Sequence, residues 1–210
     1  MVDLAIKAPQ ASMLRMIDWV EKTVILVLFM GLAARIGPGL PQHPFNILLL
    51  VSDGMVVALM MTRRRTQRVS QRPMDWLLAF AATAGPLMAI GGGAALVPDG
   101  VGYGLMAAGL FLSLYAKAVL WRSFGVVAAN RGVKIGGPYR FVRHPMYLGY
   151  TITQIGFTLL YPIWTNVALY AAAFVLQVMR LRAEEDLLSQ DPAYAAYMRS
   201  TRFRLLPGVF

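Results

Sequence analysis

Arg143, His144 and Pro145 precede one apolar run of the sequence, and Arg180, Glu184 and Glu185 follow the next. Pro145 suits the first position of a helix, where its missing N–H costs nothing. Arg143 and His144 then lie just before a helix N-terminus, whose free N–H groups and dipole attract an anion such as a carboxylate. The two runs, 146–160 and 163–178, are separated only by Tyr161-Pro162, so a helical hairpin is expected. A hairpin sets the start of its first helix beside the end of its second. Arg143 and His144 should therefore approach Arg180, Glu184 and Glu185 in one mixed-charge pocket with an apolar side. The plainer alternative is that the Arg-His-Pro turn only marks a helix boundary and the two glutamates only balance neighbouring arginines.

The elements that must position these groups are apolar. The chain is 58% hydrophobic and 14% charged, against roughly 25% charged in soluble domains. Six apolar runs stand out, at 20–36, 45–61, 76–97, 101–120, 146–160 and 163–178. None alternates like a strand, and in hydrocarbon only a helix or a closed barrel satisfies the backbone. The expected fold is an all-α polytopic membrane bundle of about six helices, the last two forming a short hairpin. No internal repeat is visible. The chain reads as a single membrane domain, with 1–120 as the substrate side and 121–210 as the catalytic part. Nineteen of the twenty Lys and Arg residues fall on one side of this arrangement, and only Arg35 on the other. The positive-inside rule then places both ends in the cytoplasm, with outer turns near 38–44 and 98–100. The net charge of +10 is explained by topology, and no nucleic-acid partner is needed. Residues 1–12 lack the build of a signal peptide.

Other chemistry is thin. There is no cysteine, hence no disulfide or thiolate metal site, and His43 and His144 have no metal-ligand spacing. No metal is expected. Gly102-x-Gly104 and Gly91 to Gly93 read as small residues for helix packing. Asp53, inside the second run, is an intramembrane acid and a candidate to bind a polar substrate group, or else a helix-packing residue. Lys117 and Arg35 are expected to snorkel. The basic residues from Arg63 to Arg72 are expected to meet anionic lipid heads. His43 reads as incidental.

The ordered pattern Gly137-Pro138-Tyr139, Arg143-His144-Pro145-x-Tyr147-x-Gly149, then Arg180 with Glu184-Glu185, resembles the membrane-bound methyltransferases that include isoprenylcysteine carboxyl methyltransferase and the phospholipid methyltransferases. Tyr194, Tyr197 and the Arg-rich close also fit, and Arg122-Ser123-Phe124-Gly125 with Asn130-Arg131-Gly132 resembles the lead-in of bacterial members. The likeness covers about 121–210. It implies S-adenosyl-L-methionine as methyl donor and a bacterial inner-membrane enzyme whose active site faces the cytoplasm. It implies a cofactor set of Gly137, Tyr139, Arg143, His144, Pro145, Tyr147, Gln154, Glu184 and Glu185. Tyr139 and Tyr147 would line the adenosine, His144 and its neighbours would hold the methionine end, and Glu184 or Glu185 would bind ribose hydroxyls or the amino group. Arg180 and Glu185 would be catalytic, Arg180 orienting an anionic acceptor and Glu185 taking the proton of an amine. The acceptor would be lipophilic: a phospholipid amine, an isoprenoid-linked carboxylate or a thiol. A small transporter or channel, and a non-catalytic membrane partner, are the alternatives. The oligomeric state is not legible.

Overall fold

The computed structural model describes residues 11–41, 46–66 and 68–209. Expectations about the first ten residues, His43 and the start of the second run at Phe45 lie outside them. The described residues are all-helical, with seven α-helices: α1 Ala11–Ile36, α2 Asn46–Thr62, α3 Pro73–Ala84, α4 Asp99–Leu120, α5 Pro145–Leu160, α6 Trp164–Leu188 and α7 Pro192–Ser200. Only Asp99–Ser123 among the described residues is both long and apolar enough to cross a membrane by length and composition, and Asn46–Thr62 is apolar but shorter.

The third apolar run departs from expectation. The α-helix ends at Ala84, and a short 3-10 turn, Gly85–Met88, follows it. Pro86 lacks the N–H that would continue the helix. Gly91 to Gly93 are not helical, and Gly92 and Gly93 take positive φ, 142° and 86°. Gly93 lies against Ile163, with a built Cβ only 3.1 Å from its Cγ2. At about 1.5 Å per residue, α3 spans about 18 Å, short of a hydrocarbon core of about 30 Å. Its extension is tied down by Asn166, whose Nδ2 donates to Ile90 O (2.8 Å) and Tyr161 O (3.0 Å) and whose Oδ1 accepts from Ile90 N (3.2 Å).

The backbone of the site is the close antiparallel pair α4 and α5. Glycines at a spacing of seven face each other across it: Gly109 meets Gly149, and Gly102 meets the α5 turn of Gly156 and Leu160. Small residues let two backbones approach this closely. A Cβ at Gly109 would lie 2.5 Å from Gly149 O and Thr153 Oγ1. Gly109→Ala therefore forces the helices apart, at about 1–3 kcal/mol by the usual cost of overpacking. A lower melting midpoint in detergent is the expected result; an unchanged one would show that the pair can separate freely. Gly104, by contrast, faces open space.

α6 runs ten residues past the apolar limit at Val178, and this polar extension carries Arg180, Glu184 and Glu185. Asp191 caps α7, accepting from Ala193 N (2.9 Å), as N-cap carboxylates do. The 63–72 and 121–136 connections pair through Arg64 N to Arg122 O (2.7 Å), Ser70 N to Ala128 O (2.9 Å) and Asn130 N to Arg68 O (2.9 Å). The tail after α7 pairs back on the site: Arg143 N donates to Phe203 O and His144 N to Arg204 O, both at 2.9 Å.

Candidate active site

Two cavities meet at one wall. The first, about 100 Å³, is termed polar for the charged and phenolic side chains among its lining, and lies among the 123–134 connection, the turn before α5, the end of α6 and α7. The second, about 200 Å³, is mainly apolar and lies among α1 to α6. Both are lined by Met146 and Tyr147. The apolar cavity follows α1 from Ile25 to Ile36, a distance of about 16 Å at the helical rise.

The hairpin brings the expected residues together. Arg143 Nε is 2.6 Å from Glu185 Oε1, and His144 Nε2 is 3.0 Å from the same oxygen. Tyr147 Oη donates to Glu184 Oε1 (2.6 Å), and Arg180 Nε is 3.7 Å from that oxygen. Tyr139, Arg143, His144, Tyr147 and Glu184 line the polar cavity, joined by Tyr194 and Tyr197. Burial first, and then Glu184, hold the Tyr139 phenol well above its ordinary pKa, so it presents an O–H.

The remaining expected residues fall elsewhere. Gln154, Asp53 and Arg180 line the apolar cavity. Gln154 therefore faces the opposite side of the wall from the cofactor side assigned to it. Gly137 and Pro145 line neither cavity. Gly137 has φ 56° and sits where a Cβ would come within 3.0 Å of Tyr115 Oη, and Pro145 opens α5. Glu185 is also off both cavities, 3% exposed, and its oxygens are occupied: Arg204 Nε adds a third nitrogen partner at 2.8 Å. Glu185 lies beyond the apolar part of α6. Burial opposes its charge, but hydrogen bonds from His144, Arg143 and Arg204 outweigh that and pull its pKa from 4.5 to about 2.

Several residues carry the site without having been legible beforehand. Glu21, 1% exposed, accepts from Val126 N (3.2 Å) and Val127 N (3.0 Å) and pairs with Arg63 (2.7 Å). Val126 O in turn accepts from Arg180 Nη2 (2.5 Å). Arg63 is thus buried between Glu21 and Asp18 rather than spread on lipid heads. Lys117 does not snorkel: it is 0% exposed, and its Nζ donates to Ser52 O (3.0 Å) and Oγ (2.7 Å). Gln177 holds the wall from α6, donating to Tyr147 O and Thr151 Oγ1, both at 3.0 Å. A charged residue inside an apolar run is the signal that marks Glu21 and Lys117; their partners, 105 and 65 residues away, leave no local trace.

Two atoms of this region stand out chemically. The buried Nε atoms of Arg131 and Arg180 have no hydrogen-bond partner. One arginine lines the polar cavity and the other the apolar one. A polar cavity holding a guanidinium, a carboxylate and phenols suits a small zwitterion. An apolar cavity ending in a guanidinium suits a tailed molecule with a polar tip.

No curated protein gives a significant match to the chain. The stretch 99–191, which contains α4, the Arg143-His144-Pro145 turn and the Glu184-Glu185 pair, matches the family model of the phospholipid methyltransferases, the group its motifs resemble.

Proposed function

We propose that the protein transfers the methyl group of S-adenosyl-L-methionine to a lipophilic acceptor at the cytoplasmic face of a membrane. The observation that carries this reading is the pair of unlike cavities sharing the Met146–Tyr147 wall. The residues of the polar cavity fit the cofactor: an unpaired guanidinium for its carboxylate, Glu184 for its ammonium or hydroxyls, and aromatic rings for its base. The 100 Å³ of this cavity is below the roughly 300–1,000 Å³ of ligand clefts. That volume suits the amino-acid end of the cofactor. Supporting the membrane reading are large apolar side chains exposed along the helices, among them Val27, Leu77, Phe111 and Val175. Exposed apolar side chains in such number mark a membrane or a partner. Six crossings, with the third completed by the irregular segment after α3, keep both ends and the basic connections in the cytoplasm.

When bound, the cofactor supplies a methyl group on a sulfonium, already a good leaving group. The chain must align the acceptor with that methyl and keep water out. Tyr139, Arg143, His144, Tyr147 and Glu184 hold the donor side. Gly137 and Pro145 shape the turn that presents them. Glu185 fixes Arg143 and His144. On the acceptor side, Arg180 orients an anionic acceptor, while Gln154 and Asp53 contact its polar groups.

Calorimetry in detergent tests the donor side. The unmodified protein is expected to bind S-adenosylmethionine. His144→Ala combined with Glu184→Ala is expected to weaken binding about 100-fold, since hydrogen bonds to charged groups contribute about 1.5 kcal/mol or more each. Equal affinity in the double variant would refute the pocket. Incubation with labelled cofactor and total membrane lipid then identifies the acceptor, and absence of any labelled product would refute the enzyme.

A further inference from the structure

Four arginines are buried among the described residues: Arg63, Arg131, Arg143 and Arg180. Arg63 pairs with Asp18 and Glu21, Arg143 with Glu185, and Arg180 lies 3.7 Å from Glu184. Arg131 alone of the four has no carboxylate within 4.0 Å among the described residues. It is 8% exposed and lines the polar cavity. Its Nε is buried with no hydrogen-bond partner.

Its setting is built. The guanidinium lies on Gly125, where a Cβ would come within 2.9 Å of Cζ and closer still to Nη1. The Arg131 backbone is fastened from behind. Ser123 Oγ donates to Arg131 O (3.0 Å), and the adjacent Asn130 donates to Asp191 Oδ2 (2.7 Å). Glycine makes the space, and two polar ties fix the direction.

Resting on the methyl-transfer reading above, we propose that Arg131 receives the carboxylate of the bound cofactor. A planar guanidinium matches a carboxylate as a two-pronged fork. A buried unpaired cation is costly, and an incoming carboxylate relieves that cost. Burial, and then the neighbouring charge of Arg63, push the Arg131 pKa down to about 10, which still leaves it protonated at neutral pH. The anion is an amino-acid carboxylate rather than a phosphate because the same cavity holds Glu184. Glu184 repels a dianion and accepts an ammonium group. Arg131 and Glu184 together read both ends of a zwitterion.

The test uses the full-length protein in detergent and two ligands, S-adenosylmethionine and its decarboxylated analogue, which keeps the sulfonium and amine. Arg131→Gln is expected to weaken S-adenosylmethionine binding at least 30-fold, about 2 kcal/mol, and to leave the analogue's affinity within twofold. The unmodified protein should itself bind the analogue about as weakly as the variant binds the cofactor. Arg131→Lys should recover part of the loss. The melting midpoint without ligand should not fall in Arg131→Gln, because the charge removed has no carboxylate partner among the described residues; a fall would mean the residue is structural. Equal losses for both ligands, or no loss for either, would overturn the assignment. Failure of the unmodified protein to bind either ligand would overturn the methyltransferase reading beneath it.

Discussion

Glu185→Ala lowers the melting midpoint more than any other single change at the site. The substitution removes the one carboxylate between Arg143, His144 and Arg204. Arg143 then keeps only carbonyl partners, Thr201 O (3.0 Å) and Arg202 O (2.8 Å). Removing one partner of a buried pair leaves an uncompensated charge, at about 3–5 kcal/mol. Glu185→Gln should cost less, since it keeps the shape and one acceptor. Thermal melting without cofactor measures this, and equal midpoints for Glu185→Ala and the unmodified protein would contradict it. The same group predicts an acid limit. Its folded pKa of about 2 lies below its ordinary 4.5, so between those values the unfolded chain takes up a proton that the folded chain refuses. The stabilisation from Glu185 is complete above about pH 4.5 and is lost as pH falls toward about 2. Glu185→Gln should flatten that part of the stability profile.

Arg180→Met separates turnover from cofactor binding. Arg180 lines the apolar cavity, not the polar one. Its Nη2 is committed to Val126 O (2.5 Å), its Cζ lies 5.2 Å from the Tyr147 ring centre, and its Nε, 3.7 Å from Glu184 Oε1, makes no hydrogen bond among the described residues. Loss of one preorganised donor at the reacting centre typically costs about 100–1,000-fold in rate, and a fall of that order is expected in single-turnover methyl transfer. Cofactor affinity should stay within a few-fold. Arg180→Lys should be intermediate, because an ammonium keeps the charge but not the fork. Full activity in Arg180→Met would place the acceptor elsewhere.

The residues around the polar cavity were more legible in the sequence than those around the apolar one. The Arg143-His144-Pro145 turn and the Glu184-Glu185 pair are short patterns joined by one tight hairpin, so their meeting follows from connectivity. Helix phase was harder to judge. Adjacent Glu184 and Glu185 point to different surroundings, one to the cavity and one to Arg143, His144 and Arg204, and one step along the chain does not show which. Gln154 likewise sits on α5 with Tyr147 but lines only the apolar cavity. The third run misled because hydropathy counts Gly and Ala as helix-compatible and gives no weight to the N–H that Pro86 lacks. Arg131, Glu21 and Lys117 owe their meaning to distant groups. No window along the chain contains both an arginine and the absence of its partner.

The pairing of Phe203 and Arg204 with Arg143 and His144 also sets an order of events during synthesis. Phe203 and Arg204 lie after all seven α-helices in chain order, so the hydrogen bonds that fix the turn before α5 cannot form until the segment of every helix has been synthesised.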